Sequence, residues 1–236
     1  MIKNNNRLET PRTYLRNFCL DDLDLLYQLH SDPQVMRYFY TGPRSRLTVQ
    51  QNLQEYITHQ ETYNFSNWAV FEKNTDQFIG RAGPLVWDQP TIQLATTNPT
   101  LPAKSSAPTS VISYTRHPAA PGVALREAWE CPSQPLGDDG RIEGPQPTQL
   151  TTVNWVELSY VLHQKFWGLG FATEIASQII TWVFKNLTID KIIAVTTPEN
   201  LASQKVMSKI GMQLDQHTTL NGFPAVQYMI YRTPIL

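Results

Sequence analysis

The pattern of apolar positions changes period several times along the chain, and each change marks an element. Over residues 12–18 the apolar side chains Tyr14, Leu15 and Phe18 fit a short strand, after which Asp21, Asp22 and Asp24 open a helix carrying Leu25, Leu26 and Leu29. The spacing predicts a second helix over 48–63, then strands over 67–72 and 78–87 folded into a hairpin around the polar turn 73–77. Residues 153–162 form a strand rich in β-formers, with Trp155, Glu157, Ser159 and Val161 on one face and Val156, Leu158, Tyr160 and Leu162 on the other. The clearest helix follows a glycine-rich turn, because Ala172, Ile175, Ala176, Ile179, Ile180, Val183 and Phe184 fall on one stripe. A strand over 191–196 comes next, then a short helix introduced by Pro198, Glu199 and Asn200, bearing Ala202, Val206, Met207 and Ile210 and stopped at Gly211. Two closing strands, over 212–216 and 226–232, turn through Asn221 and Gly222.

This patterning stops between residues 88 and 150, where ten of the 17 prolines lie among Thr, Ser, Gln and Ala. Proline has no amide hydrogen and turns the preceding residue away from helix, so regular structure is not expected there. The organisation implied is one domain over 1–236 interrupted by an insertion at 88–150, disordered or irregular. Pro99 and Pro102, Pro118 and Pro121, and Pro132 and Pro135 have the spacing of polyproline ligands, so the segment is either a tolerated surface loop or a peptide-interaction element.

Composition narrows the function classes. A formal charge of −1 gives no surplus of Lys and Arg to displace counterions from phosphates, which argues against a nucleic-acid partner. No apolar run is long enough to span a membrane, the first ten residues carry no signal-peptide pattern, and Cys19 and Cys131 stand as separate thiols; a cytoplasmic protein with no membrane association is expected. The five histidines show no metal-ligand spacing, and no metal is assigned. His163 is a polar loop residue or a proton carrier, and Cys19, without a neighbouring base, is expected to be a buried small residue rather than a nucleophile.

The chemistry concentrates at Trp167, Gly168, Leu169, Gly170, Phe171, Ala172 and Thr173, between a strand and the start of the strongest helix. Glycines bring main chain close to a ligand, and the unpaired amides of a helix start present the positive end of its dipole, a combination suited to a diphosphate. The order of this turn, the preceding Val156, Glu157, Leu158, Ser159 and Tyr160, the following Asn200 and Ser203, and Lys209, Ile210, Gly211 and Met212 resembles the GNAT superfamily of acyl-CoA N-acyltransferases. The N-terminal segments 8–16 and 31–39 resemble its Rim-type branch, which includes enzymes that acetylate ribosomal-protein N-termini. The resemblance covers nearly everything outside 88–150. It implies an α/β (α+β) fold whose mixed, mostly antiparallel sheet is splayed near its middle with helices on both faces, and acetyl-CoA as co-substrate.

Carried over by position, the resemblance implies that the amides of Gly168 to Thr173 hold the CoA diphosphate, that main chain at Leu158 and Tyr160 pairs with pantetheine, and that Asn200 and Ser203 lie near the thioester. It also marks two departures: Trp167 stands where the motif usually begins with Gln or Arg, and Met207 stands where many members place a tyrosine proton donor. Ser203 is then the candidate acid, or a small helix-packing residue. Glu157 interrupts an apolar strand and is the candidate base, or a solvent-facing strand residue. An N-acetyltransferase acting on a primary amine, either a protein N-terminus or a small amine, is expected; an α-amine with a pKa of about 7.7–8.0 asks least of a base. A catalytically silent acyl-CoA-binding module is the alternative. A homodimer is an open expectation.

Overall fold

The computed structural model describes residues 6–86 and 155–232. The insertion at 88–150, with Cys131 and the proline pairs, lies outside the described residues. Among the described residues there are eight strands: β1 (Asn6–Glu9), β2 (Thr13–Asn17), β3 (Trp68–Glu72), β4 (Phe78–Leu85), β5 (Trp155–Leu162), β6 (Lys191–Thr196), β7 (Gln213–Leu220) and β8 (Phe223–Tyr231). Five α-helices accompany them in the described residues: α1 (Leu23–Ser31), α2 (Pro33–Met36), α3 (Arg46–Tyr63), α4 (Phe171–Asn186) and α5 (Leu201–Lys209). The strands form one sheet in the order β1-β2-β3-β4-β5-β6-β8-β7, in which every pairing is antiparallel except β5 with β6. The two chain segments therefore share one sheet, joined where β4 pairs with β5 from Gly80↔Leu162 to Leu85↔Glu157.

Side-chain alternation divides the core into two layers. On one face Trp68, Val70, Val156, Leu158 and Leu162 pack with the buried stripe of α4, namely Ile175, Ala176, Ile179, Ile180 and Val183. On the other, Ala69, Phe71, Phe78 and Val161 meet Leu26 and Leu29 of α1 and Val49, Leu53 and Tyr56 of α3. Helices thus cover both faces, as expected. Full burial of each large aliphatic on the α4 stripe stabilises by roughly 1.5–3 kcal/mol, so this stripe fixes how α4 lies against the sheet.

Several boundaries differ from the sequence-based expectation. β1 has no strong alternation and forms because β2 offers it an antiparallel edge, Leu8 pairing with Leu15. The closing strands run to the turn at Asn221 (φ 52°) and Gly222 (φ 81°), because hairpin pairing from Gln213↔Met229 to Leu220↔Phe223 extends polar sequence that has no strand signal of its own. The expected apolar face of α5 is only partly buried: Met207 is enclosed, whereas Ala202 is exposed, because the rest of that helix borders a cleft. Cys19 is half-buried rather than enclosed, and its amide hydrogen-bonds to Asp22 (2.9 Å) at the entrance to the turn before α1.

Candidate active site

The sheet opens at its one parallel pair. β5 pairs with β6 only at Trp155↔Lys191, Val156↔Ile192 and Glu157↔Ile193, while β6 stays paired with β8 as far as Thr196↔Val226 and β5 with β4 as far as Leu162. Past Glu157 the two strands part, and the gap continues into a cleft of about 1250 Å³. Both expected walls meet there. Glu157, Leu158, Ser159 and Tyr160 line it from β5, and Asn200, Ser203 and Met207 line it from α5 and its entrance.

At one end of the cleft stands the glycine turn. Gly168 (φ 73°) and Gly170 (φ 83°) both take left-handed backbone, which places Gly170 as the N-cap of α4 with no side chain to satisfy the first-turn amides. Trp167, Gly168, Gly170, Ala172 and Thr173 line the cleft. Leu169 and Phe171 do not: Leu169 is exposed, and Phe171 is buried edge-on against Phe166 with ring centroids 5.6 Å apart. The Trp167 ring is fixed by its Nε1–H, which donates to the Leu162 carbonyl at 2.8 Å.

The turn is held from outside by Arg12, which carries no sequence signal for this role. From the β1–β2 connection its Nη1 donates to the Leu169 carbonyl (2.9 Å), its Nε pairs with Glu174 (2.6 Å) and its guanidinium lies 4.1 Å from the centre of the Phe171 ring. Burial pushes the Glu174 carboxyl up, but hydrogen bonds from Thr10 and from the amide and guanidinium of Arg12 outweigh it and leave the group below its ordinary value.

Across the gap, the Tyr160 hydroxyl lies 2.8 Å from Ser203 Oγ and 3.2 Å from the Ser203 carbonyl oxygen. Burial raises the Tyr160 phenol to about 12, with the Ser203 hydrogen bond opposing, so the phenol keeps its proton at neutral pH. Asn200 caps α5 by accepting from the Ser203 amide (3.2 Å), and its Nδ2 donates to Thr196 Oγ1 (3.0 Å), tying the helix start to the end of β6. Ser203 is therefore presented to the cleft by two partners, and the Tyr160 side chain takes part where the sequence pointed only to its main chain.

The opposite wall carries two further groups that sequence reasoning missed. Arg81, buried, donates to His30 Nε2 (3.0 Å), Asn67 Oδ1 (3.2 Å) and Ser159 Oγ (2.8 Å). His59 accepts at Nε2 from the Val86 amide (3.0 Å), so its Nδ1 carries the proton it shares with the Phe65 carbonyl (2.7 Å). With both nitrogens engaged and burial lowering its pKa, His59 is a neutral structural group rather than a base. His163 is half-buried edge-on to Phe78 (5.8 Å), and burial lowers its pKa as well.

A glycine-cradled helix start thus stands beside a parted parallel pair, inside a mostly antiparallel sheet with helices on both faces. The chain belongs to the acetyltransferase (GNAT) domain family, whose profile matches residues 12–96 and 139–213. It is similar to the uncharacterized N-acetyltransferase p20 of Bacillus licheniformis, 23% identical over 87% of this chain and 82% of that protein. A protein of Vibrio cholerae assigned as a ribosomal-protein-serine acetyltransferase has the same fold, with a TM-score of 0.57 at 15% identity over 95% of this chain and 97% of its own. So does the aminoglycoside acetyltransferase AAC(6')-Ib in complex with coenzyme A, with a TM-score of 0.57 at 15% identity over 93% and 95% of the two chains.

Proposed function

We propose that the protein transfers the acetyl group of acetyl-CoA to a primary amine, either a protein N-terminus or a small amine, by direct attack. The observation that carries this reading is the parting of β5 from β6 past Glu157, which leaves an edge of β5 open beside the amides of α4. An extended amide-bearing arm ending in a diphosphate matches that pair of features: main chain at Leu158 and Tyr160 offers strand-like pairing, and the first-turn amides of residues 168–173 offer donors to phosphate. When bound, acetyl-CoA supplies an activated acetyl thioester.

In this reading Glu157 takes the proton from the attacking nitrogen as the nitrogen–carbon bond forms. Ser203, held by Tyr160 and by the Asn200 cap, returns a proton to the sulfur as the carbon–sulfur bond breaks. Asn200 positions Ser203. The AAC(6')-Ib structure in complex with ribostamycin and coenzyme A supports a small-molecule acceptor, and the Vibrio neighbour, assigned as a ribosomal-protein-serine acetyltransferase, supports a protein acceptor.

Incubation with acetyl-CoA and a panel of peptides and small amines tests the proposal by release of free CoA. Turnover that falls at least about tenfold in Glu157→Gln or Ser203→Ala supports the assignment. Folded protein that binds CoA and turns over none of the panel would make the chain a silent acyl-CoA-binding module.

A further inference from the structure

Trp167 opens the glycine turn, and a guanidinium stands over its ring. Arg37 follows α2 directly and places its Cζ 5.3 Å from the centre of the Trp167 ring and 4.6 Å from that of Tyr38. Its base is firm, since Val35 and Met36 are buried and Asp32 caps the short helix by accepting from the Gln34 amide at 2.8 Å. The Trp167 platform is firm as well, through the bond of its Nε1 to Leu162.

The other cations near the turn differ from Arg37. Arg12 is taken up by Glu174 and the Leu169 carbonyl, Lys165 donates to Gln77 (2.9 Å), Arg44 and Arg81 are buried in the opposite wall, and Lys205 and Lys209 line the cleft from α5. Arg37 is exposed, lines the same cleft as Gly168, Gly170 and Thr173, and makes no ion pair among the described residues. A guanidinium held over an aromatic ring is attracted to its face and still has N–H donors to offer an anion, and its fork fits two phosphate oxygens at once.

We propose that Arg37, held over Trp167 and Tyr38 at the end of α2, binds the diphosphate of the coenzyme beside the amides of the glycine turn. This rests on the reading of the cleft as a coenzyme A site. Binding is cooperative with the platform, so Trp167 acts through Arg37 rather than on the ligand.

Calorimetry on the full chain with CoA, dephospho-CoA and pantetheine tests the proposal. Arg37→Gln is expected to weaken CoA and dephospho-CoA equally, by about tenfold, to leave pantetheine unchanged and to flatten the salt dependence. Arg37→Lys recovers part of the loss, and Trp167→Ala adds little on top of Arg37→Gln in the double variant. Unchanged CoA affinity in Arg37→Gln would overturn the proposal. So would a loss confined to CoA, which would place Arg37 on the 3'-phosphate, or an equal loss for pantetheine, which would make the effect structural. Wild-type protein that binds no CoA would instead remove the underlying reading, an outcome separate from any effect of Arg37.

Discussion

Replacing Tyr160 by Phe removes one oxygen from the contact between β5 and α5, and the stability change it causes depends on pH. Near neutrality the variant loses the hydroxyl that sits 2.8 Å from Ser203 Oγ. A hydrogen bond of this kind contributes a net ~0.5–1.5 kcal/mol, so wild type is the more stable by about 1 kcal/mol. Burial raises the phenol from 10.0 to about 12 in the folded chain. A folded pKa above the unfolded one means that this stabilisation is complete below the unfolded value and is lost as pH rises toward the folded value, because the unfolded chain sheds its proton first. Linkage across these two values gives a wild-type loss of about 1.4 kcal/mol by about pH 11, which phenylalanine cannot show. The gap between the proteins therefore closes or reverses, while the other alkaline titrations, Tyr14 included, are common to both and cancel. Urea unfolding midpoints at about pH 8 and about pH 11 measure it. A gap that stays constant across that interval would refute the argument that Tyr160 is buried and protonated against Ser203.

Four further outcomes test other parts of the structure. A Cβ at Gly83 would lie 2.0 Å from the Ser66 carbonyl oxygen, so Gly83→Ala is expected to cost about 3–5 kcal/mol or prevent folding, read by thermal unfolding. A Cβ at Gly168 would meet nothing within 4 Å, so Gly168→Ala costs only the ~1–2 kcal/mol of left-handed backbone and leaves a folded protein in which coenzyme affinity can be measured. Met207 is 1% exposed, and Met207→Ala is expected to destabilise by about 2–5 kcal/mol in denaturant titration. The depressed Glu174 carboxyl stabilises above the ordinary carboxylate value of 4.5 and loses that contribution as pH falls through the lower folded value; Glu174→Gln removes this part of the acid limb, by no more than about 1 kcal/mol because Arg12 is partly exposed.

The sequence by itself determined the elements whose pattern is local. The α4 stripe, the alternation of β5 and the left-handed glycines at 168, 170 and 211 are each set by short-range periodicity or by backbone freedom, and the structure places each where the spacing did. The two-layer burial follows, because a strand with apolar residues on both faces must be covered on both. Tertiary structure alone decided what meets across distance. Arg12 reaches the Leu169 carbonyl across 157 positions and Arg81 reaches Ser159 across 78, and no local pattern encodes either partner. The full length of β7 and the existence of β1 were likewise settled by a neighbouring edge rather than by their own residues. The parting of β5 from β6 has the same origin. Past Glu157 each strand stays paired on its outer side, β5 with β4 and β6 with β8, and the opening on which the proposed chemistry depends exists only in three dimensions.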